Sequence, residues 1–465
     1  MQATTTSTTN PTNSGRPPPL TMKNFQPGYM ATLGAGVCLF VSGGMSFGQS
    51  LGWFFVYFNS PFTLHLFYSW FIAVAIGAVL SVLLGYVLPK KFIMAVSAIL
   101  ILVGGITRVS VPTNYSVLIV ARYFNGIGLG MATVQYLMYA SELSRNTRRG
   151  FSLGLEQFCI SLGLALQMIM TSQWSLSSSF SQNSLQGIFD IILAAVSMGC
   201  LWYFIESPVD YVRLGDDAAA LDCLSKLQDT PAITMQTNQR LEELKDYVRE
   251  ENSLSSSEVV LRSLVPLLKM LAFRSMIMSL SYSPVITNAL TYTMFVLDVS
   301  WTPILAGSLR IFGSGISMAI VDIAGRKLPA IAWALAIGGL IVPIAVILDY
   351  FYSIYDSHRM FKVAAFWIAI HVADGLYAPV TSVYLGEAFP LHSKGICIAL
   401  CVVVEQIIQI VIFVTHPKDE VVIMASGIII LVAAAVFLIT MPETKKTSLR
   451  EAQAGFRKFF NFKMF

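Results

Sequence analysis

The sequence predicts an all-α polytopic membrane protein, with about twelve transmembrane helices arranged in two six-helix halves. Three observations carry this expectation. Of 465 residues, 55% are hydrophobic and only 12% charged, and the mean hydropathy is +0.67, outside the range of soluble globular chains. Apolar runs long enough to cross the hydrocarbon core recur at 29–55, 65–88, 92–112, 116–140, 151–171, 186–205, 271–297, 302–322, 328–351, 362–386, 395–415 and 420–441. A long polar stretch from Ser207 to Met270 then divides these runs six and six.

Five regions follow. Residues 1–28, rich in Thr, Pro, Asn and Ser and free of acids, read as a disordered cytoplasmic arm. They lack the apolar core of a cleaved signal peptide, so the first span is expected to act as the insertion signal. Residues 29–206 form the first six-helix bundle. Residues 207–270 form a cytoplasmic linker, where patterns such as Leu241-Glu242-Glu243-Leu244-Lys245 predict short amphipathic helices. Residues 271–441 form the second bundle. Residues 442–465 make a basic cytoplasmic tail with Lys445, Lys446, Arg450, Arg457, Lys458 and Lys463, suited to contact with anionic lipid.

Orientation follows from Lys and Arg. Lys90 and Lys91, Arg145, Arg148 and Arg149, Arg326 and Lys327, and Lys394 fall in alternate loops, on the side of the linker and tail. Loops 53–64 and 172–185 have neither residue, although Arg359, Lys362 and Lys418 are exceptions. The positive-inside rule places both termini in the cytoplasm, and the plasma membrane is the expected location. The net charge of +4 is then a topology signal and requires no nucleic-acid partner.

Other chemistry is sparse. Cys38, Cys159, Cys200, Cys397 and Cys401 lie in apolar spans and Cys223 in the linker, which argues against a disulfide framework. No Cys/His cluster has ligand spacing, so neither a metal nor another cofactor is expected. With no nucleophile–base constellation, an enzyme is the weakest class. Asn114-Tyr115-Ser116 is a glycosylation triplet, but it hugs the membrane. Trp53, Trp174 and Trp301 are expected at the external interface.

Short polar motifs recur in the two halves. Ala121-Arg122-Tyr123 opens span four, and Tyr139-Ala140-Ser141-Glu142 through Arg149-Gly150 closes it. In the second half Gly386-Glu387-Ala388-Phe389-Pro390 leads to Ser393-Lys394-Gly395. Each places an acid at the end of one span and a base at the start of the next, where such a pair can latch helices together. Taken singly, either is an ordinary interfacial pair. Their repetition points to the internal repeat of a transporter.

Ile205-Glu206-Ser207-Pro208, Asp322-Ile323-Ala324-Gly325-Arg326-Lys327 and Pro442-Glu443-Thr444-Lys445 complete a set whose order resembles the sugar porter family of the major facilitator superfamily. Among its branches the chain is most similar to facilitated trehalose and glucose transporter-like proteins of insects. The resemblance spans about residues 30 to 450. It implies the major facilitator fold, a sugar cavity between the halves and alternating access. It gives Arg122, Glu142, Arg149, Glu206, Asp322, Gly325, Arg326, Glu387, Lys394 and Glu443 gating or conformational roles. Gln157 matches a sugar-contacting glutamine, Asn288 a sugar-contacting asparagine, and Tyr292 the first of two gating tyrosines, the second being Thr293 here. Amides suit sugars because one side chain donates and accepts hydrogen bonds. Without the resemblance, Gln157 reads equally well as an interhelical hydrogen-bonding group.

Departures from the family pattern are equally informative. A glutamine pair falls at Tyr282 and Ser283, a tryptophan at Ser382 and an asparagine near Glu405; the loop after Pro89-Lys90-Lys91 has lost its acidic–arginine core. No Asp or Glu precedes Glu142, whereas proton-coupled relatives carry an acid in span one, so a uniporter is favoured. His371, Asp374 and Glu405 nonetheless lie at apparent membrane depth and are the candidates for coupling. Pairing of Arg310 with one of the acids for packing is the favoured alternative. The expected function is facilitative transport of a hexose or trehalose, with the sugar and the bilayer as partners and no obligate protein partner. The alternatives are a non-transporting sugar sensor or scaffold, and a proton-coupled symporter using acids of the second half.

Overall fold

A computed structural model describes residues 27–54, 63–174, 180–227, 233–349, 356–415 and 419–462. Among these, twelve helices are long and apolar enough to cross a membrane. The first half contains α1 (Pro27–Ser50), α2 (His65–Gly85), α3 (Lys90–Ser110), α4 (Tyr115–Leu143), α5 (Arg149–Gln173) and α6 (Gln182–Leu201). Caps set several of the ends. Asn114 Oδ1 accepts from Ser116 N and Val117 N at the start of α4, so this glycosylation-triplet side chain is engaged locally. Ser181 caps α6 in the same way.

Three short helices follow, α7 (Pro208–Leu214), α8 (Asp217–Lys226) and α9 (Met235–Asn252). Their apolar faces close small clusters, Val209 and Val248 against Leu391, and Ala220, Leu224 and Leu241 together. The seventh span starts earlier than its apolar run suggests. A capping box of Ser255 and Glu258 opens α10 (Ser256–Met270), which continues into the membrane despite Glu258, Arg262 and Lys269. It passes through a π-turn at Leu271–Met276 into α11 (Ile277–Ser281), then breaks at Tyr282 and Ser283 before α12 (Pro284–Leu297). The break has a covalent cause, because Pro284 lacks an N–H and forces Ser283 into an extended conformation (φ −96°, ψ 158°). The remaining helices are α13 (Trp301–Ile320), α14 (Lys327–Asp349), α15 (Ser357–Glu387), α16 (Lys394–Thr415), α17 (Asp419–Thr440) and the terminal α18 (Leu449–Arg457).

In the first half α1 packs on α5, α2 on α4, and α3 on α4 and α6; in the second α13 packs on α15, and α14 on α15 and α17. The halves meet where α5 touches α13 and α15, and where α16 touches α2 and α4. Backbone approach depends on small residues, as membrane packing requires. A Cβ on Gly163 would run into the Val41 carbonyl of α1, and one on Gly44 into the Ile160 carbonyl of α5. Trp53, expected at the interface, is instead buried (4% exposed) because its carbonyl accepts Gln167 Nε2 at 2.9 Å and draws the chain inward.

Gly163→Val should therefore lower the detergent-solubilised protein's unfolding stability by about 1–3 kcal/mol, the usual cost of overpacking. A thermal-shift midpoint equal to wild type would remove the close α1–α5 contact from the account.

Candidate functional site

A small chamber of about 50 Å³ lies between the halves. Phe47, Trp70, Glu156 and Gln157 line it from the first half; Arg274, Tyr282, Arg310, Glu405 and Gln409 line it from the second. The π-turn carries Arg274 into this interface. Its Nη2 and Nη1 donate to Glu156 Oε1 and Oε2 at 2.9 and 3.1 Å, across the boundary between α10–α11 and α5. Nη1 also reaches Ser382 Oγ (3.0 Å), and Nε reaches Glu405 Oε2 (3.3 Å). The Ser382 hydroxyl and Gln157 Nε2 donate to Glu156 as well. Ser382 and Glu405, two of the departures from the family pattern, are thus docking points for Arg274.

A second buried cluster lies beside it. Arg310 of α13 pairs with Asp374 of α15, donates to Ser161 Oγ on α5 at 3.2 Å and stands 4.5 Å above the Tyr282 ring. Ser281 Oγ donates to the other Asp374 oxygen at 3.0 Å. His371 packs tilted against Trp367, with ring centroids 3.7 Å apart and planes at 54°, and its Nε2 lies 3.3 Å from the Tyr282 hydroxyl. Asp374 is therefore the ion-pair partner of Arg310, while Glu405 alone of the three coupling candidates lines the chamber. Arg122 lies among neutral groups, with Nη1 on Gln49 Oε1 at 2.9 Å and Nε on Ser69 Oγ at 3.3 Å.

Asn288 is exposed, away from the chamber lining, because Ile286, Thr287, Ala289 and Leu290 occupy the buried face of α12. Tyr292 lies on α12, with its side chain outside the described ones; Thr293 is buried and bonds back to the Leu290 carbonyl at 2.7 Å.

The end of the bundle carrying the Lys/Arg-rich loops is closed by a second charge network. Glu387 of α15 bonds both Arg149 of α5 and Arg326, which also holds Asp322 at 3.1 Å. Burial opposes the charge on Arg326, but Glu387 and Asp322 outweigh it and hold the guanidinium above its usual value. Asp322 accepts the N–H groups of Gly150 and Phe151 (3.0 and 2.9 Å), so an acid of the second half caps a helix of the first. Glu443 accepts from Arg326 N and Lys327 N (2.9 and 3.0 Å), capping α14. Gly325 turns the chain there at φ +96°, a conformation open to glycine.

The recurring motifs pair differently from the expectation that each acid latches to the base next along the chain. Glu142 binds Lys90 at 2.7 Å and accepts the Ser207 hydroxyl at 2.6 Å, while Lys394 crosses the halves to Ser141. Neighbours in sequence sit on separate helices, and each charge takes the partner its own helix faces. Glu206 accepts Lys91 N at 3.2 Å, and burial pushes its carboxyl above the usual range. At the opposite end Phe67 of α2 stacks on Phe413 of α16, with centroids 5.6 Å apart. Among the described residues, contacts between the halves therefore occur at both ends of the bundle.

Glu156 and Arg274 escaped the reading by motif. Their signal was a charge inside an apolar run, which demands a partner. Arg108 and Asp190, paired at 3.2 Å between α3 and α6, were legible in the same way.

A profile of the family described as "Sugar (and other) transporter" matches residues 29–456. The chain belongs to this sugar transporter family. Among curated relatives, a D-xylose-proton symporter-like protein of Arabidopsis thaliana is 25% identical over 81% of this chain and 78% of its own length. The galactose-proton symporter of Escherichia coli K12 is 25% identical over 54% of each chain. A solved major facilitator proton:xylose symporter bound to 6-bromo-6-deoxy-D-glucose superposes with a TM-score of 0.72 at 19% identity, over 92% of this chain and 98% of that one. An inward-open xylose transporter from E. coli gives 0.62 at 19% identity over the same shares. At such identity these structures show the fold, which is that of the major facilitator superfamily.

In this sugar transporter, Glu387→Gln should leave Arg149 and Arg326 short of counter-charge and destabilise closure at the basic end by about 3–5 kcal/mol. A cysteine at Leu153, buried against Gly386, should then react faster with an impermeant thiol reagent added from that end. Unchanged reactivity would show that the network does not hold the gate.

Proposed function

We propose that this multi-pass sugar transporter is a facilitative carrier of a hexose or of trehalose, working by alternating access, in the plasma membrane with both termini cytoplasmic. The observation that carries the proposal is the chamber between the halves, lined by Gln157 and Gln409, with contacts that cross the interface towards each end. Such a chamber suits the substrate site of a carrier. Facilitative transport is supported by the first three spans, which carry no carboxylate, and by Arg122, whose partners there are neutral. The curated relatives named above are proton symporters by name, so the mode of energy coupling is the first property to test.

Labelled glucose and trehalose uptake into proteoliposomes, with and without an imposed pH gradient, decides it. Saturable uptake that equilibrates, without gradient-driven accumulation, is the expected outcome; accumulation driven by the gradient would overturn the facilitative reading. Gln157→Ala should raise the half-saturation concentration about 5- to 10-fold, the loss of one hydrogen bond of roughly 1 kcal/mol. Unchanged kinetics in that variant would remove Gln157 from the sugar site.

A further inference from the structure

The chamber and the Arg310 cluster beside it hold three carboxylates against two guanidinium groups. Arg310 is matched by Asp374, but Arg274 stands against both Glu156 and Glu405. The donors are distributed unequally. Glu156 receives both Nη groups of Arg274, the Ser382 hydroxyl and Gln157 Nε2, a full set for an anion. Glu405 receives only Arg274 Nε, at 3.3 Å on one oxygen, and its side chain is 18% exposed, enough to reach the chamber. One helical turn along, Gln409 directs its amide nitrogen to the Ser279 and Tyr282 carbonyls (3.3 and 3.0 Å) and leaves its own oxygen unpartnered. Gln409 thus adds an acceptor to the chamber, and among the described residues Arg274 is the donor recorded for Glu405.

We infer that Glu405 is a proton-binding site that must be filled each time the chamber closes, whether or not sugar is inside. In the open carrier, water solvates the carboxylate. As the chamber dries, Glu405 takes a proton from that water, its carboxylate becoming a carboxyl group and one hydronium becoming water; on reopening the proton returns to water. The inference rests on the facilitative reading in one respect. A facilitative carrier must close empty as well as loaded, so the proton crosses in both directions and none is moved net. Rate then depends on pH while the final distribution of sugar does not.

The charged and titratable groups facing Glu405 are few. Arg274 comes from the π-turn, Tyr282 from the break after α11, Glu156 from α5 and Arg310 from α13; Cys401 precedes it by one turn of α16. The α2 residues that line the chamber, Trp70 and Val74, do not titrate, nor do Leu129 and Thr133 of α4. Asp374 and His371 of α15 are engaged with Arg310 and Tyr282.

The test has a part that needs no sugar. A single cysteine at Thr133, a buried chamber residue, is placed in the full-length chain with the native cysteines replaced. Its alkylation rate, divided at each pH by that of a free model thiol to remove the rise in thiolate fraction, is followed from pH 5 to 9. Reactivity should rise with pH as closure is lost, and Glu405→Gln, a fixed neutral mimic, should flatten the rise. Glu156→Gln, which leaves one acid for Arg274, should flatten it too and guards against a folding defect in the first variant. Equilibrium exchange of labelled glucose should fall about tenfold per pH unit on the alkaline limb, as for one required proton, and lose that dependence in Glu405→Gln. A flat profile in wild type, or a slope retained in both variants, overturns the site. Restoration of closure at alkaline pH by sodium but not choline overturns the proton as its occupant. Gradient-driven accumulation overturns protonation of the empty carrier. A pH-dependent chamber with no glucose or trehalose exchange supports the proton site while the sugar assignment fails.

Discussion

A charge buried at membrane depth must have a partner, and most of this transporter's internal architecture follows from where the partners are. Two pairs lie within a half. Arg108–Asp190 joins α3 to α6, and Arg310–Asp374 joins α13 to α15. These can stay intact while the halves rock, so they act as rivets inside each moving body. Two others cross the interface, Arg274–Glu156 at mid-depth and Arg149–Glu387 at the basic end. These cannot survive full separation of the halves, so they are pairs that opening between them must break.

The cross-half clusters share an asymmetry. In each, the second half retains an internal counter-charge when the halves part. Arg274 keeps Glu405, and Glu387 keeps Arg326. The groups left alone belong to the first half, Glu156 and Arg149. Removing one partner of a buried pair costs about 3–5 kcal/mol, because the remaining charge is stranded in a poor solvent. Opening to water is cheaper, since the released side chain is hydrated as its partner withdraws. Stranding is thereby confined to Glu156 and Arg149, which opening exposes to water, and the second half never carries an unmatched arginine.

The fold was legible because hydrocarbon thickness imposes a length on every span, and a twenty-residue apolar run survives errors of several residues at its ends. The site was less legible for the same reason. Averaging hydropathy over a window hides a single Glu156 or Arg274 among leucines, and the two partners lie 118 residues apart. Spacing along the chain suggested that Glu142 would latch to Arg149 and Glu387 to Lys394. In three dimensions Glu142 turns to Lys90 and Glu387 to Arg149 and Arg326, choices that depend on helix rotation rather than on sequence order. Gln157 could be singled out only through the family resemblance, since a buried amide in a span has several ordinary uses. Asn288 illustrates the converse, because a motif match fixes the residue but not which side of α12 it faces.

The departures from the family pattern form one chemical unit rather than a set of losses. Ser382 and Glu405 stand where a tryptophan and an asparagine are expected, and both bond Arg274. The guanidinium in turn engages Glu156, whose neighbour Gln157 donates its amide nitrogen to the same carboxylate. That bond fixes the orientation of Gln157, leaving its carbonyl oxygen as the free end, and Gln409 is fixed in the same sense by two backbone carbonyls. With these two amide nitrogens occupied, the Gln157 and Gln409 positions of the chamber present acceptors. Hydroxyl groups can donate to such a surface, whereas a ligand rich in carbonyl or phosphate oxygens would meet like against like. The charge cluster thus does more than hold the halves together: by occupying the Gln157 amide nitrogen it helps to set the polarity of the chamber surface.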